Sequence, residues 1–208
     1  MNRTIAATLL LATTLLLVAT GSVEARKRND SVLERVVHAY EANHTYEVPA
    51  TGSVEVAFSP DEGSEALVVK VIDSARTELR MLAYSFTSAP VTSALLRARK
   101  RGVQVRLVAD QKSNESEDRS GKARAALSAL ANAGVDVRLI SVYPIHHDKV
   151  IIVDRQTVEL GSFNYSDAAA HRNSENVLVN WNNPKLAQVY LGHFERNFRQ
   201  SVPFETRY

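Results

Sequence analysis

The sequence predicts an α/β fold, a mixed central β-sheet flanked by helices. Three observations carry that expectation. Short apolar, strand-like runs alternate with segments of helical spacing from Val54 to Gln200. Two of the helical segments stop at a glycine, Gly102 and Gly134, and a strand-like run follows each at once. The chain has no cysteine, so disulfides cannot replace a hydrophobic core.

Arg3, the apolar stretch Ile5 to Val18 and the small-x-Ala triplet Val23-Glu24-Ala25 read as a signal peptide over residues 1–25. The apolar stretch is shorter than the roughly 20 residues of a membrane-spanning helix, so export to the periplasm or beyond is expected, with no stable membrane association after cleavage. The 208 residues less those 25 leave 183, enough for one domain with a proper core. Residues 26–51 read as an N-terminal extension in which Ser31 caps a short helix through Val32, Leu33, Val36, Val37 and Tyr40. Residues 52–208 read as the functional domain.

Within that domain Val54 to Phe58 alternates as a strand, and Ser59 to Gly63 reads as a turn. Leu67, Val68, Val71 and Ile72 place a helix over Ser64 to Ala75. A strand over Leu79 to Tyr84, a helix over Pro90 to Arg101 and a strand over Val103 to Ala109 follow. Gln111 to Gly121 is polar and reads as a loop. A helix over Ala123 to Ala133 leads to a strand over Val135 to Ile140. Lys149 to Val153 and Thr157 to Gly161 form a hairpin, Asn176 to Val179 is a further strand, and Lys185 to Gln200 is a closing amphipathic helix.

The chemistry concentrates at the hairpin. His147 and Lys149 stand two apart, as do Ser162 and Asn164, and residues two apart on a strand share a face. A two-residue turn at Arg155-Gln156 would set Val153 opposite Val158, Lys149 opposite Ser162 and His147 opposite Asn164. All four polar groups would then cluster, and a slip of one residue would scatter them. The kit suits covalent attack on a phosphodiester: His147 as nucleophile, Lys149 as a compact positive charge, and Ser162 and Asn164 as neutral donors to the phosphoryl oxygens.

His147, Lys149, Asp154, Gly161, Ser162 and Asn164 fit the H-x-K-x4-D-x6-G-S-x-N pattern of the phospholipase D superfamily at every position. The chain resembles its small, secreted, single-motif bacterial endonucleases, and segments around Asp73 to Thr87, Lys100 to Val103 and Asn173 to Asn176 add to the likeness. The resemblance implies a phospholipase D-like α/β sandwich from about Val54 to Tyr208. It also implies that Glu175 hydrogen-bonds the catalytic histidine. Asp154 is expected to organise the turn after its strand rather than to touch substrate.

A phosphohistidine cannot also protonate the leaving oxygen, so a second acid is required. Of the six histidines, His38, His44, His146, His147, His171 and His193, none but His147 lies in a copy of the motif. The simplest answer is a homodimer that brings two copies of His147 to a two-fold axis, and the resemblance implies the same. His146 would face away as a bystander. Asp148, Asp154, Glu159 and Glu175 lack ligand-like spacing, so no metal or other cofactor is expected.

A net charge of +2 is too mild to reveal a nucleic-acid partner, and the basic groups at Arg97 to Arg101 and Arg119 to Arg124 read as solvated helix faces. The reading is therefore a metal-independent, non-specific endonuclease on DNA and possible RNA substrates. The alternative is a phospholipase D or phosphatidyl transferase on lipid headgroups. A catalytically silent nucleic-acid-binding module would not need the intact motif.

Overall fold

A computed structural model describes residues 45–206. The chain divides into two units, Met1–Glu47 and Val48–Tyr208. Of the first unit only residues 45–47 are described, without helix or strand. The expected signal peptide and the helix from Ser31 to Tyr40 lie outside the described residues, and residues 48–51 of the expected extension form no helix or strand.

The second unit is built on one eight-stranded mixed sheet. Its strands are β1 (Ser53–Ser59), β2 (Glu78–Ala83), β3 (Gln104–Asp110), β4 (Asp136–Ile140), β5 (Lys149–Val153), β6 (Thr157–Gly161), β7 (Glu175–Trp181) and β8 (Val202–Pro203), in the order β1-β7-β6-β5-β2-β3-β4-β8. Pairings β2–β3 and β3–β4 are parallel and the others antiparallel. The helices are α1 (Ser64–Ser74), α2 (Ala89–Lys100), α3 (Lys122–Asn132), α4 (Asp167–His171) and α5 (Pro184–Gln200).

Strand alternation divides the core between the two faces. Leu79, Met81, Leu107 and Ile151 face α1, α2 and α3, packing with Val71, Leu95 and Leu127. Leu82, Val108, Val150, Ile152 and Val158 face the other way and meet Ala187, Leu191 and Phe194 of α5. The central strand β5 is buried along its whole length, as its uninterrupted apolar run demands. Covering both faces makes the α/β sandwich that the alternation of elements predicts.

Helix starts follow local chemistry. The Ser88 hydroxyl accepts from the backbone N–H of Val91 at 3.1 Å, and Pro90 occupies the first turn of α2. Asn183 caps α5 in the same manner through the N–H of Leu186, with Pro184 in the first turn. Gly102 and Gly134 follow α2 and α3 with φ of 91° and 83°, the left-handed geometry expected of them.

Two local expectations need correction. The stretch from Gln111 to Gly121 is not simply a loop: a π-helical turn runs over Lys112–Ser116. Its anchor is the fully buried Asn114, whose amide donates to the carbonyls of Tyr84 at 2.6 Å and Asp110 at 2.8 Å and accepts from the N–H of Phe86. The hairpin pairs Val153 with Thr157 and Ile152 with Val158, one residue off the expected register. Three residues turn the chain, and Asp154 and Arg155 both take positive φ, at 50° and 57°. The short α4 and the two-residue β8 carry too few residues to show a period.

At the β1 edge Val54, Val56 and Phe58 are each more than half exposed. At the opposite edge β8 covers β4, with Val202 opposite Leu139 and Pro203 opposite Arg138.

Candidate active site

His147 precedes β5 by two residues and is exposed, whereas Lys149, the first residue of β5, is only 5% exposed. Both line an open cleft of about 610 Å³ together with Leu160, Gly161, Ser162, Asn164, Glu175 and Asn176. The four expected residues therefore meet despite the register slip. Continued pairing sets Lys149 opposite Gly161, not Ser162. His147, Ser162 and Asn164 lie beyond the strand ends, where the pleat no longer dictates the side a residue faces. The expectation that a one-residue slip would scatter them is overturned for that reason.

Gly161 permits the convergence. A Cβ there would stand 2.2 Å from the carbonyl oxygen of Asn176, so only glycine lets β6 lie against β7 at this point. Beyond it the N–H of Ser162 donates to the same oxygen at 3.1 Å.

Lys149 Nζ donates to the carbonyl of His147 at 2.8 Å and lies 5.1 Å from the centre of the Tyr84 ring. Burial pushes its pKa down, and Asp148 and Glu175 push it partly back. The Tyr84 ring also packs on the His147 ring, with centroids 4.7 Å apart. Tyr84 is thus a flank of the site. It arrives through the antiparallel pairing of β2 with β5, which sets Ala83 opposite Lys149.

Glu175 does not bond His147 within the chain. Its Oε2 accepts from the Ser162 hydroxyl at 2.5 Å and its Oε1 from Asn173 at 3.0 Å. Ser162 has one hydroxyl proton, and this bond uses it. Ser162 Oγ also accepts from the backbone and side-chain nitrogens of Asn176, at 3.1 and 3.2 Å. In this arrangement Ser162 positions Asn176 and Glu175 rather than offering a donor. Asn176, the last residue of the Asn173 to Asn176 segment that adds to the resemblance, also lines the cleft. The Asn164 amide makes no hydrogen bond among the described residues, and its Oδ1 is buried. It is the open polar group of the cleft.

Asp154, the last fixed residue of the motif's first half, does not reach the cleft. It lies at the far end of β5, where its carboxylate accepts from the N–H groups of Arg76, Thr77 and Glu78 and from the Thr77 hydroxyl, at 2.8 to 3.0 Å. Burial would raise its pKa, and these four bonds more than offset that, leaving it below the usual carboxylate value. His146 is buried, and its N–H donates to Asp110 Oδ2 at 2.8 Å.

Residues 68–198 match the family described as cardiolipin synthase, PLD-like domain. The phospholipase D of Rickettsia felis is 39% identical over 138 residues, 66% of this chain and 66% of its own length. The chain thus spans just under two thirds of that relative. The mitochondrial cardiolipin hydrolase of Danio rerio is 33% identical over 131 residues, 62% of this chain and 55% of its own. The crystal structure of a phospholipase D family member, Nuc from Salmonella typhimurium, superposes with a TM-score of 0.71 at 46% identity, over 74% of this chain and 98% of that one. NucT from Helicobacter pylori, at 22% identity and a TM-score of 0.62 over 73% of this chain and 100% of its own, shares the fold. With that family match over most of the folded unit, and with the motif histidine and lysine in one cleft, the chain belongs to the phospholipase D superfamily.

Proposed function

We propose that this chain is a metal-independent phosphodiesterase, a non-specific endonuclease on DNA, working as a homodimer through a phosphohistidine on His147. The observation that carries the proposal is the exposed His147 ring beside buried Lys149 and unpaired Asn164 in one open cleft.

The chemistry balances without a cofactor. A ring nitrogen of His147 attacks phosphorus, and the P–N bond forms as the P–O bond to the leaving group breaks. Lys149 and Asn164 meet the charge on the phosphoryl oxygens. The leaving oxygen takes a proton from His147 of the partner subunit. That second imidazole then removes a proton from water, the water oxygen attacks phosphorus, and the P–N bond breaks. Among the described residues His147 is the one histidine lining the cleft, which supports drawing the second imidazole from another copy of the chain.

Leu160 is the one aliphatic side chain among the residues lining the cleft, and the cleft is open to solvent rather than enclosed. Contacts to phosphate carry no base information, which favours a non-specific enzyme whose affinity falls with salt. The second reading, a lipid-headgroup hydrolase, is favoured by relatives named phospholipase D and cardiolipin hydrolase.

Supercoiled plasmid, excess chelator, the purified protein and its His147→Ala variant decide between them. Nicking by the wild type alone supports the nuclease. Intact plasmid in both, with choline released from phosphatidylcholine vesicles by the wild type, transfers the same chemistry to lipid. Nicking by His147→Ala overturns the histidine mechanism.

A further inference from the structure

A second cavity, of about 330 Å³, opens on the other side of the nucleophile, and His147 lines both. Asp148, His193 and Arg196 border it. Asp148 lies between the two motif residues His147 and Lys149, and its Oδ2 stands 2.9 Å from His193 Nε2 on α5. On its other side His193 Nδ1 stands 2.7 Å from the Arg196 guanidinium. A guanidinium only donates, so Nδ1 is the acceptor and Nε2 carries the proton that Asp148 receives. The exposed Arg196 therefore fixes the tautomer of His193, and His193 fixes the carboxylate of Asp148.

We propose that Asp148, His193 and Arg196 are positioning residues that anchor the nucleophile peptide to α5 and hold His147 at its attack angle. The proposal rests on the phosphodiesterase reading of the same site. It follows from what the backbone lacks. β5 begins only at Lys149, so no sheet ladder holds His147. The peptide is held instead by side chains: Asp110 accepts the N–H of His146, Lys149 donates to the carbonyl of His147, and Asp148 reaches α5. The first two fix the backbone on either side of the nucleophile. The third fixes the rotation of the peptide between them, and so which way His147 and Lys149 face.

Burial would raise the Asp148 pKa, but the His193 bond and the Lys149 charge hold its carboxyl below the usual range, so the anchor stays ionised. A half-buried hydrogen bond of this kind adds only modestly to folding stability. A chain selected for stability alone would do as well with apolar packing at this place.

The test uses the full chain and bis(p-nitrophenyl) phosphate, a diester without base or lipid. His193→Ala lowers kcat by about ten- to a hundredfold and leaves KM within about twofold, because misplacing a reacting group by about 1 Å costs that much. His193→Gln, whose amide can still donate from the position of Nε2, recovers most of the loss. Amide hydrogen exchange without substrate speeds up at His146, whose N–H donates to Asp110, in His193→Ala and not in His193→Gln, with the melting temperature within a few degrees of wild type. Unchanged kcat in His193→Ala, an equal loss in His193→Gln, or unchanged exchange overturns the proposal. If the wild type leaves the diester intact, the phosphodiesterase reading fails, and the exchange measurement alone then decides the anchor.

Discussion

Glu159 on β6 is fully buried, and only one of its oxygens has a partner, the Tyr165 hydroxyl at 3.1 Å. Burial pushes its pKa up to about 8. A group raised in the folded state contributes its full stability below the unfolded value near 4.5, and that stability is lost as pH rises through about 8. Each pH unit inside the window costs about 1.4 kcal/mol. Glu159→Gln removes the dependence. Denaturant titrations at several pH values should show a gain over wild type that grows from about pH 4.5 to 8 and is flat above; a gain independent of pH would refute the assignment. His147, Lys149, Ser162 and Asn164 were legible because their types and spacings lie in one run. His193 reaches the neighbourhood of His147 through the packing of α5, which no local pattern records. Glu175 was placed in the right cleft, but its chain-internal partner is Ser162.

Among elements, the long ones were legible because each repeats a period: the buried run of β5, the apolar stripe of α5, and the helices ended by Gly102 and Gly134. Asp154 organises the hairpin turn as expected, but the length of that turn was not legible, because the backbone it is tied to, the N–H groups of Arg76, Thr77 and Glu78, lies far away in the sequence. Asp154 holds its left-handed φ while its carboxylate ties the loop to the N-terminal end of β2. Asp154→Ala loses these bonds and strains the turn, and should cost about 2–4 kcal/mol in a thermal or urea melt. The protein that remains folded at low temperature should keep its KM. A large KM change without a stability loss would place Asp154 in the substrate site after all.

At the scale of the whole molecule, α1, α2 and α3 cover one face of the sheet and α5 the other, and the nucleophile peptide comes to the surface between them. A homodimer with both His147 residues in one site predicts that a hybrid with His147→Ala is dead. Wild type allowed to exchange subunits with a threefold excess of the variant should fall to about a quarter of its activity per wild-type chain. Activity that stays proportional to wild type would mean each subunit works alone. The two borders of the sheet are unequal. Pro203 gives β8 no N–H to offer a further strand, whereas β1 presents Val54, Val56 and Phe58 beside an outer side that no strand pairs among the described residues. Concentrated solutions should therefore begin to aggregate at β1, by strand-on-strand growth between molecules, and that border rather than the net charge of +2 sets the solubility ceiling.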